Sequence, residues 1–221
     1  MSDFQNKNPK LVKARIKAER KKASRRERGT ALVVCEGKCT EPFYVQGLLK
    51  HLEISVASVE IIKGQKNSNA VAVVNRARQR FEQVPRDRVF ALIDAEQADL
   101  TKALKQCEKP LQHENKKKEI PEIRIEPILS APCFEVWLLL HFRFSDQPFH
   151  NFASLLPELE INLPNYQKND PTIFLKVGGS AGLNHALVNT ARLRNALNQT
   201  GASNPSTDMD KLVEAMVDIQ A

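Results

Sequence analysis

The chain has 221 residues, of which 42% are hydrophobic and 27% are charged. This composition is typical of a globular protein, and the length suits one domain with additions, or one domain and a small helical subdomain. The sequence contains no apolar run of about 18 residues that would span a membrane. Its basic N-terminus also lacks the apolar segment of a secretory signal. We therefore expect neither membrane association nor secretion, and we predict a cytoplasmic protein.

Positive charge is concentrated at the N-terminus. The formal net charge is +7, and residues 1–29 contain eleven lysines and arginines against three acidic residues, a local charge of +8. The rest of the chain therefore carries −1. Such a segment suits a polyanion, above all nucleic acid held through its phosphates; the alternative is a solubilising extension. The predicted nucleic-acid contacts are Lys21, Lys22, Arg25, Arg26, Arg28 and, after the first strand, Lys38.

Strand and helix patterns alternate over residues 31–142. Apolar, β-rich runs predict strands over residues 31–35, 56–62, 88–94 and 123–129. Helical spacing follows them over residues 70–81, 100–107 and 134–142, and also after Thr40, which is a good N-cap. This alternation is typical of a doubly wound sheet. We predict an α/β domain over residues 30–145, with a mostly parallel sheet flanked by helices.

The two ends of the chain differ from this central region. Residues 1–29 form a basic flexible tail or helix in our prediction. Prolines divide the sequence after residue 145 into short pieces, a helix is predicted over residues 182–198, and Asn204 to Thr207 opens another with Thr207 as its cap. We therefore expect a helical C-terminal part over residues 146–221. Within it, Tyr166, Gln167 and Lys168 are interpreted only as a polar loop.

Two of the predicted strands end in carboxylates. The first runs into Glu36, and the third runs into Asp94 and Glu96. Because sites in open α/β sheets lie beyond the carboxyl ends of the strands, we expect these three side chains to lie close together. Clustered carboxylates need a proton or a cation between them, and oxygen ligands favour Mg²⁺ or Mn²⁺. The alternative is that these acids only complement helix dipoles.

Other residues add weaker signals. Glu135 is the only charged residue between Ala131 and Leu140, so it either complements a helix dipole or faces the acidic site. Asp99 more naturally begins the next helix, and His141 is interpreted as structural. The four cysteines form no C-x-x-C pair, so we predict reduced thiols, with neither a zinc site nor a disulfide framework.

Three segments of the chain resemble RloB-like proteins. They are Ala-Leu-Val-Val-Cys-Glu-Gly-Lys-Cys-Thr-Glu-Pro-Phe-Tyr after the basic leader, Ser-Ala-Pro-Cys-Phe-Glu-Val-Trp-Leu-Leu-Leu-His-Phe at 130–142, and Asn-Pro-Ser-Thr-Asp-Met-Asp-Lys-Leu-Val at 204–213. The family is bacterial or archaeal and is often encoded near restriction or abortive-infection loci, frequently beside an ATPase. The resemblance therefore implies a role in anti-phage defence and an ATPase partner.

The resemblance also implies a Toprim-like core, the catalytic module of topoisomerases, bacterial primases and OLD-family nucleases. Toprim sites hold Mg²⁺ with a Glu after the first strand and an Asp-x-Asp after a later one. Glu36 matches the Glu, and Asp94 matches the first Asp, whereas Glu96 stands where the family pattern has the second. The family's other motifs fall on Thr40 with Glu41 and on residues 133–135.

Together these features predict a metal-dependent nuclease. Asp94 and Glu96 would hold Mg²⁺ (or Mn²⁺), Glu36 would act as ligand or general acid–base, and Glu135 would be a fourth carboxylate. One alternative is a non-catalytic adaptor that binds nucleic acid and a partner ATPase. Another is nucleotidyl transfer, which metal-bound carboxylates also support. The choice between DNA and RNA, and a homo-oligomeric state, stay open.

Overall fold

The structure is a computed structural model that describes residues 29–66, 68–112 and 122–220. Within these ranges the chain forms five strands and eight helices. The strands are β1 (Ala31–Cys35), β2 (Val59–Ile62), β3 (Arg88–Asp94), β4 (Ile125–Ala131) and β5 (Ser206–Thr207). The helices are α1 (Thr40–His51), α2 (Ala70–Gln83), α3 (Leu100–Cys107), α4 (Glu135–Leu140), α5 (Phe152–Glu160), α6 (Ile173–Lys176), α7 (Gly179–Thr200) and α8 (Met209–Gln220). None of the described helices combines the length and the apolar character that crossing a membrane requires.

The five strands form one sheet in the order β2-β1-β3-β4-β5. Strands β1 to β4 run parallel, and β5 runs antiparallel to β4. The predicted α/β fold with a mostly parallel sheet is therefore confirmed. Every residue of β1 is buried, as expected of a central parallel strand that is covered on both sides. Because β1 and β3 are parallel neighbours, their carboxyl ends lie side by side.

The sheet has two unequal faces. Alternate strand residues such as Val33, Phe90 and Leu92 belong to the core on one side, which also contains α1, α4 and the C-terminal helices; we call this the large face. The intervening residues, such as Val34 and Ala91, belong to a smaller core that contains α2 and α3, the small face. The twofold alternation of side chains along each strand separates the two cores.

An aromatic cluster occupies the centre of the large face. The Tyr44 ring lies edge-on to the rings of Trp137 (centroids 6.2 Å apart), His141 (5.5 Å) and Phe174 (5.4 Å). His141 Nδ1 lies 2.8 Å from the carbonyl oxygen of Trp137, which can only accept, so Nδ1 carries the proton. The Tyr44 hydroxyl then donates to Nε2 at 3.0 Å. The neutral imidazole thus has a partner on both nitrogens.

The C-terminal part shares the core of the large face. Residues of α5, α7 and α8 lie in the same hydrophobic cluster as β1 and β3. Ser206 and Thr207 form β5, where the sequence pattern predicts the opening of a helix. The Thr207 hydroxyl contacts Ser130 Oγ at 2.9 Å and accepts from the Met209 N–H at 3.3 Å. Thr207 therefore forms part of β5 and also accepts a hydrogen bond at the start of α8.

Candidate carboxylate site

Glu36 follows the last residue of β1 and turns toward β3. Its Oε2 atom accepts a hydrogen bond from the backbone N–H of Asp94 at 3.1 Å, and the residue is only 9% exposed. The parallel pairing of β1 with β3 explains this contact, since Cys35 is in register with Leu92 near the same edge. The two strands thus bring Glu36 and Asp94 together.

Asp94 ends β3 and links it to the start of α4. Its Oδ1 atom accepts from the backbone N–H of Phe134 at 2.9 Å. Phe134 directly precedes α4, and β4 lies beside β3 in the sheet. A carboxylate at a helix N-terminus satisfies a donor that has no partner within the helix. Asp94 therefore fixes the approach of α4 to the sheet edge.

Glu41 lies in the first turn of α1 and bends back over the turn that precedes the helix. It is 4% exposed, and its Oε2 accepts from the Gly37 N–H at 2.6 Å. Thr40 forms no capping hydrogen bond to α1. Its hydroxyl instead donates to the carbonyl oxygen of Lys168 at 2.9 Å. The predicted N-cap role of Thr40 is therefore wrong, because Cys39 occupies the N-cap position and Thr40 is the first residue of the helix.

Glu135 is the first residue of α4 and is 2% exposed. The Tyr166 hydroxyl donates to its Oε1 at 3.0 Å, and Lys168 Nζ lies 3.1 Å from the same oxygen. The hydroxyl oxygens of Tyr166 and Thr40 are 3.0 Å apart. A buried carboxylate needs such partners to stay charged. Residues 166–168 thus join the C-terminal part of the chain to this site.

Burial and mutual repulsion raise the pKa values of Glu36, Glu41 and Asp94. Burial raises the pKa of Asp94 well above its usual range, and the charges of Glu135 and Glu36 add to the effect. Burial likewise raises the pKa of Glu41, with further contributions from the charges of Asp94, Glu135 and Glu36. Four carboxylates from three parts of the chain therefore act on one another at a single site.

Glu36 has a pKa close to neutral. Burial raises the pKa of its carboxyl to about 7, and the charges of Asp99 and Glu96 also raise it. The Asp94 N–H bond and the charge of Arg76 oppose this rise. A carboxyl group with such a pKa can both hold and release a proton near pH 7, as a general acid or base must.

The turn that carries Glu36 is supported from the small face. Arg76 of α2 donates to the Cys35 carbonyl at 3.4 Å and to the Lys63 carbonyl at 2.9 Å. The Gly64 N–H donates to the Gly37 carbonyl at 2.8 Å. A Cβ atom on Gly64 would lie 1.7 Å from the Glu36 carbonyl oxygen, so this close approach requires glycine.

The remaining sequence-predicted residues lie farther out. Glu96 and Lys38 are both exposed, although the charge of Glu96 still influences the pKa of Glu36. Asp99 accepts from the Val71 N–H at 2.9 Å and so serves the start of α2. The predicted nucleic-acid contacts of the tail (Lys21, Lys22, Arg25, Arg26 and Arg28) lie outside the described residues.

Cysteine chemistry is disfavoured at this site. Burial raises the pKa of the Cys35 thiol, and the Glu41 charge adds to the effect. Burial also raises the pKa of Cys133, helped by the charges of Glu135 and Asp94. Both groups therefore stay protonated thiols, which are poor nucleophiles.

The donor set has the chemistry of a site for a hard divalent cation. Glu36, Glu41, Asp94 and Glu135 offer only oxygen atoms, which Mg²⁺ and Mn²⁺ prefer, and a cation would relieve their mutual repulsion. Within residues 29–66, 68–112 and 122–220, no three His, Cys, Asp or Glu side chains are grouped closely enough to hold a metal ion. A cation at this site would therefore take one or two of these carboxylates as direct ligands, with water completing its coordination.

Sequence reasoning did not place three of the residues found here. Glu41 resembles an ordinary acid in the first turn of a helix, and only its burial sets it apart. Tyr166 and Lys168 lie about thirty residues beyond Glu135, in a segment without periodicity. The one available signal was the family motif that contains Thr40 and Glu41.

Comparison with known proteins agrees with the three sequence segments described above. No curated protein and no solved structure matches the chain. The model of one family, described as RloB-like protein, matches residues 31–216, which is most of the chain and includes all four carboxylates. The chain therefore belongs to the RloB-like protein family.

Proposed function

We propose that the chain is a Mg²⁺- or Mn²⁺-dependent nuclease of the Toprim type, which hydrolyses phosphodiester bonds of DNA or RNA. The observation that carries this proposal is the convergence of Glu36, Glu41, Asp94 and Glu135 at the carboxyl edge of the parallel strands. The raised pKa values of Glu36, Glu41 and Asp94, together with the all-oxygen donor set, are what a divalent-cation site needs. Sites at this edge are also typical of α/β sheets.

We assign the carboxylates different roles according to their positions at the site. Glu36 and Asp94 would hold the cation together with Glu41, and Glu96 would join them from its exposed position. When bound, the cation supplies Lewis-acid activation of the phosphate and of water. Alternatively, a Glu36 that does not ligate the cation, with its pKa at about 7, would take the proton of the attacking water.

Lys168 and Tyr166 hold the fourth carboxylate in place. The Lys168 side chain is 54% exposed while its Nζ contacts Glu135, so it can reach a bound phosphate without losing that contact entirely. The ammonium group would stabilise the negative charge that develops on the phosphate. Tyr166 orients Glu135 through its hydroxyl.

The biological setting is the second part of the proposal. We propose action in anti-phage or abortive-infection defence, with an ATPase partner that controls cleavage. The family resemblance supports this setting, and the basic N-terminal sequence would raise the local affinity for nucleic acid.

Cleavage assays with purified protein test the proposal. Labelled single-stranded DNA, duplex DNA and tRNA are incubated with Mg²⁺, Mn²⁺ or EDTA. We expect metal-dependent cleavage that falls by about 100-fold or more in Glu36→Gln and Asp94→Asn. Glu214→Gln, at an exposed position on α8, is the matched control and keeps full activity. Cleavage that survives both site substitutions would contradict the proposed site.

A second candidate function is a nucleic-acid-binding adaptor with a degenerate site. The observation that favours it is the spacing of the described carboxylates, no three of which are close enough to ligate a metal. Calorimetric titration with Mn²⁺ separates the two functions. Saturable binding that Glu36→Gln abolishes supports the nuclease, whereas the adaptor predicts no binding.

A further inference from the structure

Helix α3 presents a basic surface beside the carboxylate site. Its inner residues Ala103 and Cys107 are buried in the core of the small face. Lys102 and Lys105 lie on the opposite side of the helix, and Lys109 follows its end; all three lysines are exposed. The spacings of three and four residues place these cations in one row. They span roughly 10 Å, given a rise of about 1.5 Å per residue.

This row of lysines lines a trough. A cavity of about 640 Å³ has Asp99, Lys102, Lys105 and Lys109 among its lining residues. A second cavity of about 440 Å³ shares Lys109 and continues past Arg78 and Gln112. The two cavities therefore lie next to each other, with Lys109 lining both. A concave surface offers a ligand more contacts than a flat row of solvated lysines does.

Arg78 fixes the far end of the trough. Its guanidinium group donates to the backbone carbonyls of Gln106, Lys109 (2.7 Å) and Pro110 (3.2 Å). These bonds satisfy carbonyl groups at the end of α3, which lack partners within the helix. They also hold the backbone of Lys109 in place. The trough therefore has a defined shape, because Arg78 holds the backbone at its far end.

The near end of the trough lies at the start of α3, on the chain segment that follows Asp94. Helix α3 begins six residues after Asp94, and Asp99, which directly precedes it, lines the larger cavity. The charge of Asp99 also contributes to the raised pKa of Glu36. The short connection from the end of β3 to α3 therefore relates the trough to the sheet edge that carries Glu36.

We propose that the trough along α3 binds the sugar–phosphate backbone of a nucleic acid and leads it to the carboxylate site. The substrate role rests on the proposed function, whereas the binding itself does not. Three lysines over roughly 10 Å face about three phosphates of one strand, at a rise of about 3.4 Å per nucleotide. The contacts are to phosphates, so binding is independent of base sequence.

Fluorescence anisotropy with the full chain tests this surface. A labelled 20-nucleotide strand and a 20-base-pair duplex are titrated in EDTA, between 50 and 200 mM NaCl, so that no cleavage occurs. The test variant is Lys102→Gln/Lys105→Gln/Lys109→Gln. The control is Lys50→Gln/Lys176→Gln/Lys211→Gln, which removes the same charge from exposed lysines on other helices. The wild type and both variants carry the same basic N-terminus, so its contribution to binding cancels in the comparison.

We expect the test variant to bind the duplex at least tenfold more weakly than the control variant. The slope of log K against log salt should fall by about 2.7, since each lost phosphate contact is worth about 0.9. Replacing the same lysines with arginine should keep affinity within twofold. Equal binding by the two glutamine variants, or no binding by the wild type, would overturn the proposal. Equal binding by the two glutamine variants would instead favour an acidic protein as the partner of this surface.

Cleavage assays keep this inference distinct from the proposed function. Wild-type protein that binds through α3 yet cleaves nothing with either metal would refute the nuclease and leave the binding surface intact. Cleavage with an unchanged KM in the test variant would refute the surface and leave the nuclease intact.

Discussion

The two faces of the sheet differ in what they bury. The large face encloses polar groups, namely the hydroxyl of Tyr44, the imidazole of His141 and the carboxylate of Glu135, each with a hydrogen-bond partner. The small face is almost purely aliphatic inside and carries its charges on the outer side of α3. The large face is therefore organised around the site, while the small face supports the site from behind and supplies a charged exterior.

Truncation of one large side chain on each face gives the largest contrast. Trp137→Ala removes a fully buried indole and should lower the free energy of unfolding by about 3–5 kcal/mol. Phe81→Ala on the small face should cost a similar amount. Only Trp137→Ala should also impair cleavage by the folded protein, because Trp137 lies two residues after Glu135. Urea unfolding and cleavage rates, measured together, check this; equal losses of cleavage would remove the distinction between the faces.

Acid should weaken the large face through His141. Burial lowers the pKa of His141 to about 4, whereas its usual value is 6.5. Between these values the unfolded chain binds more protons than the folded one, so stability falls as the pH drops from 6.5 toward 4. The loss should reach about 3 kcal/mol. Unfolding measured across this range in His141→Gln should lack the slope, whereas His150→Gln, at an exposed position, should retain it.

Gly64 tests the support that reaches the site from behind β1. Gly64→Ala places a Cβ against the Glu36 carbonyl and should cost about 1–3 kcal/mol, because the turn must shift. Cleavage should fall with it, since the same turn positions the Glu36 carboxylate. Gly29→Ala is the matched control, because its Cβ would meet Ile219 at an ordinary 3.6 Å. Thermal unfolding that is identical in the two variants would show that the close approach is relaxed in solution.

The smallest effect concerns Glu36 in metal-free protein. Its pKa is raised from 4.5 to about 7, so the folded state binds more protons and stability falls as the pH rises through this window. Solvent at the sheet edge screens the effect to about 1 kcal/mol. Glu36→Gln in EDTA should therefore be more stable than wild type at pH 8 and equal to it near pH 4. Glu82→Gln should show no such crossover.

The sequence predicts the central sheet well because its signals are local. The apolar runs at β1 and β3 each stop at an acid, and parallel strands that lie side by side bring those ends together. The structure pairs β1 with β3, and Glu36 accepts from the Asp94 N–H. The strand at residues 125–131 lies two residues later than predicted. Strand boundaries depend on pairing with neighbours, which a single segment does not reveal.

Long-range contacts escape this kind of prediction. Thr40 has the residue type of an N-cap, yet its hydroxyl bonds to Lys168, 128 residues away. Strand β5 has only two residues and exists because β4 offers an open edge. Tyr166 and Lys168 have no periodic neighbours, so nothing local distinguishes them from solvated loop residues. These features follow from the assembled fold and not from any window of sequence.

The bonds from residues 166–168 to Glu135 have a consequence for biosynthesis. A ribosome completes β1 to β4 and α4 well before it reaches Tyr166 and Lys168, so a nascent chain has Glu135 without these partners. A prematurely terminated product that ends near residue 145 lacks them permanently, and it also lacks β5. The finished carboxylate site therefore exists only in chains whose translation has passed these late residues.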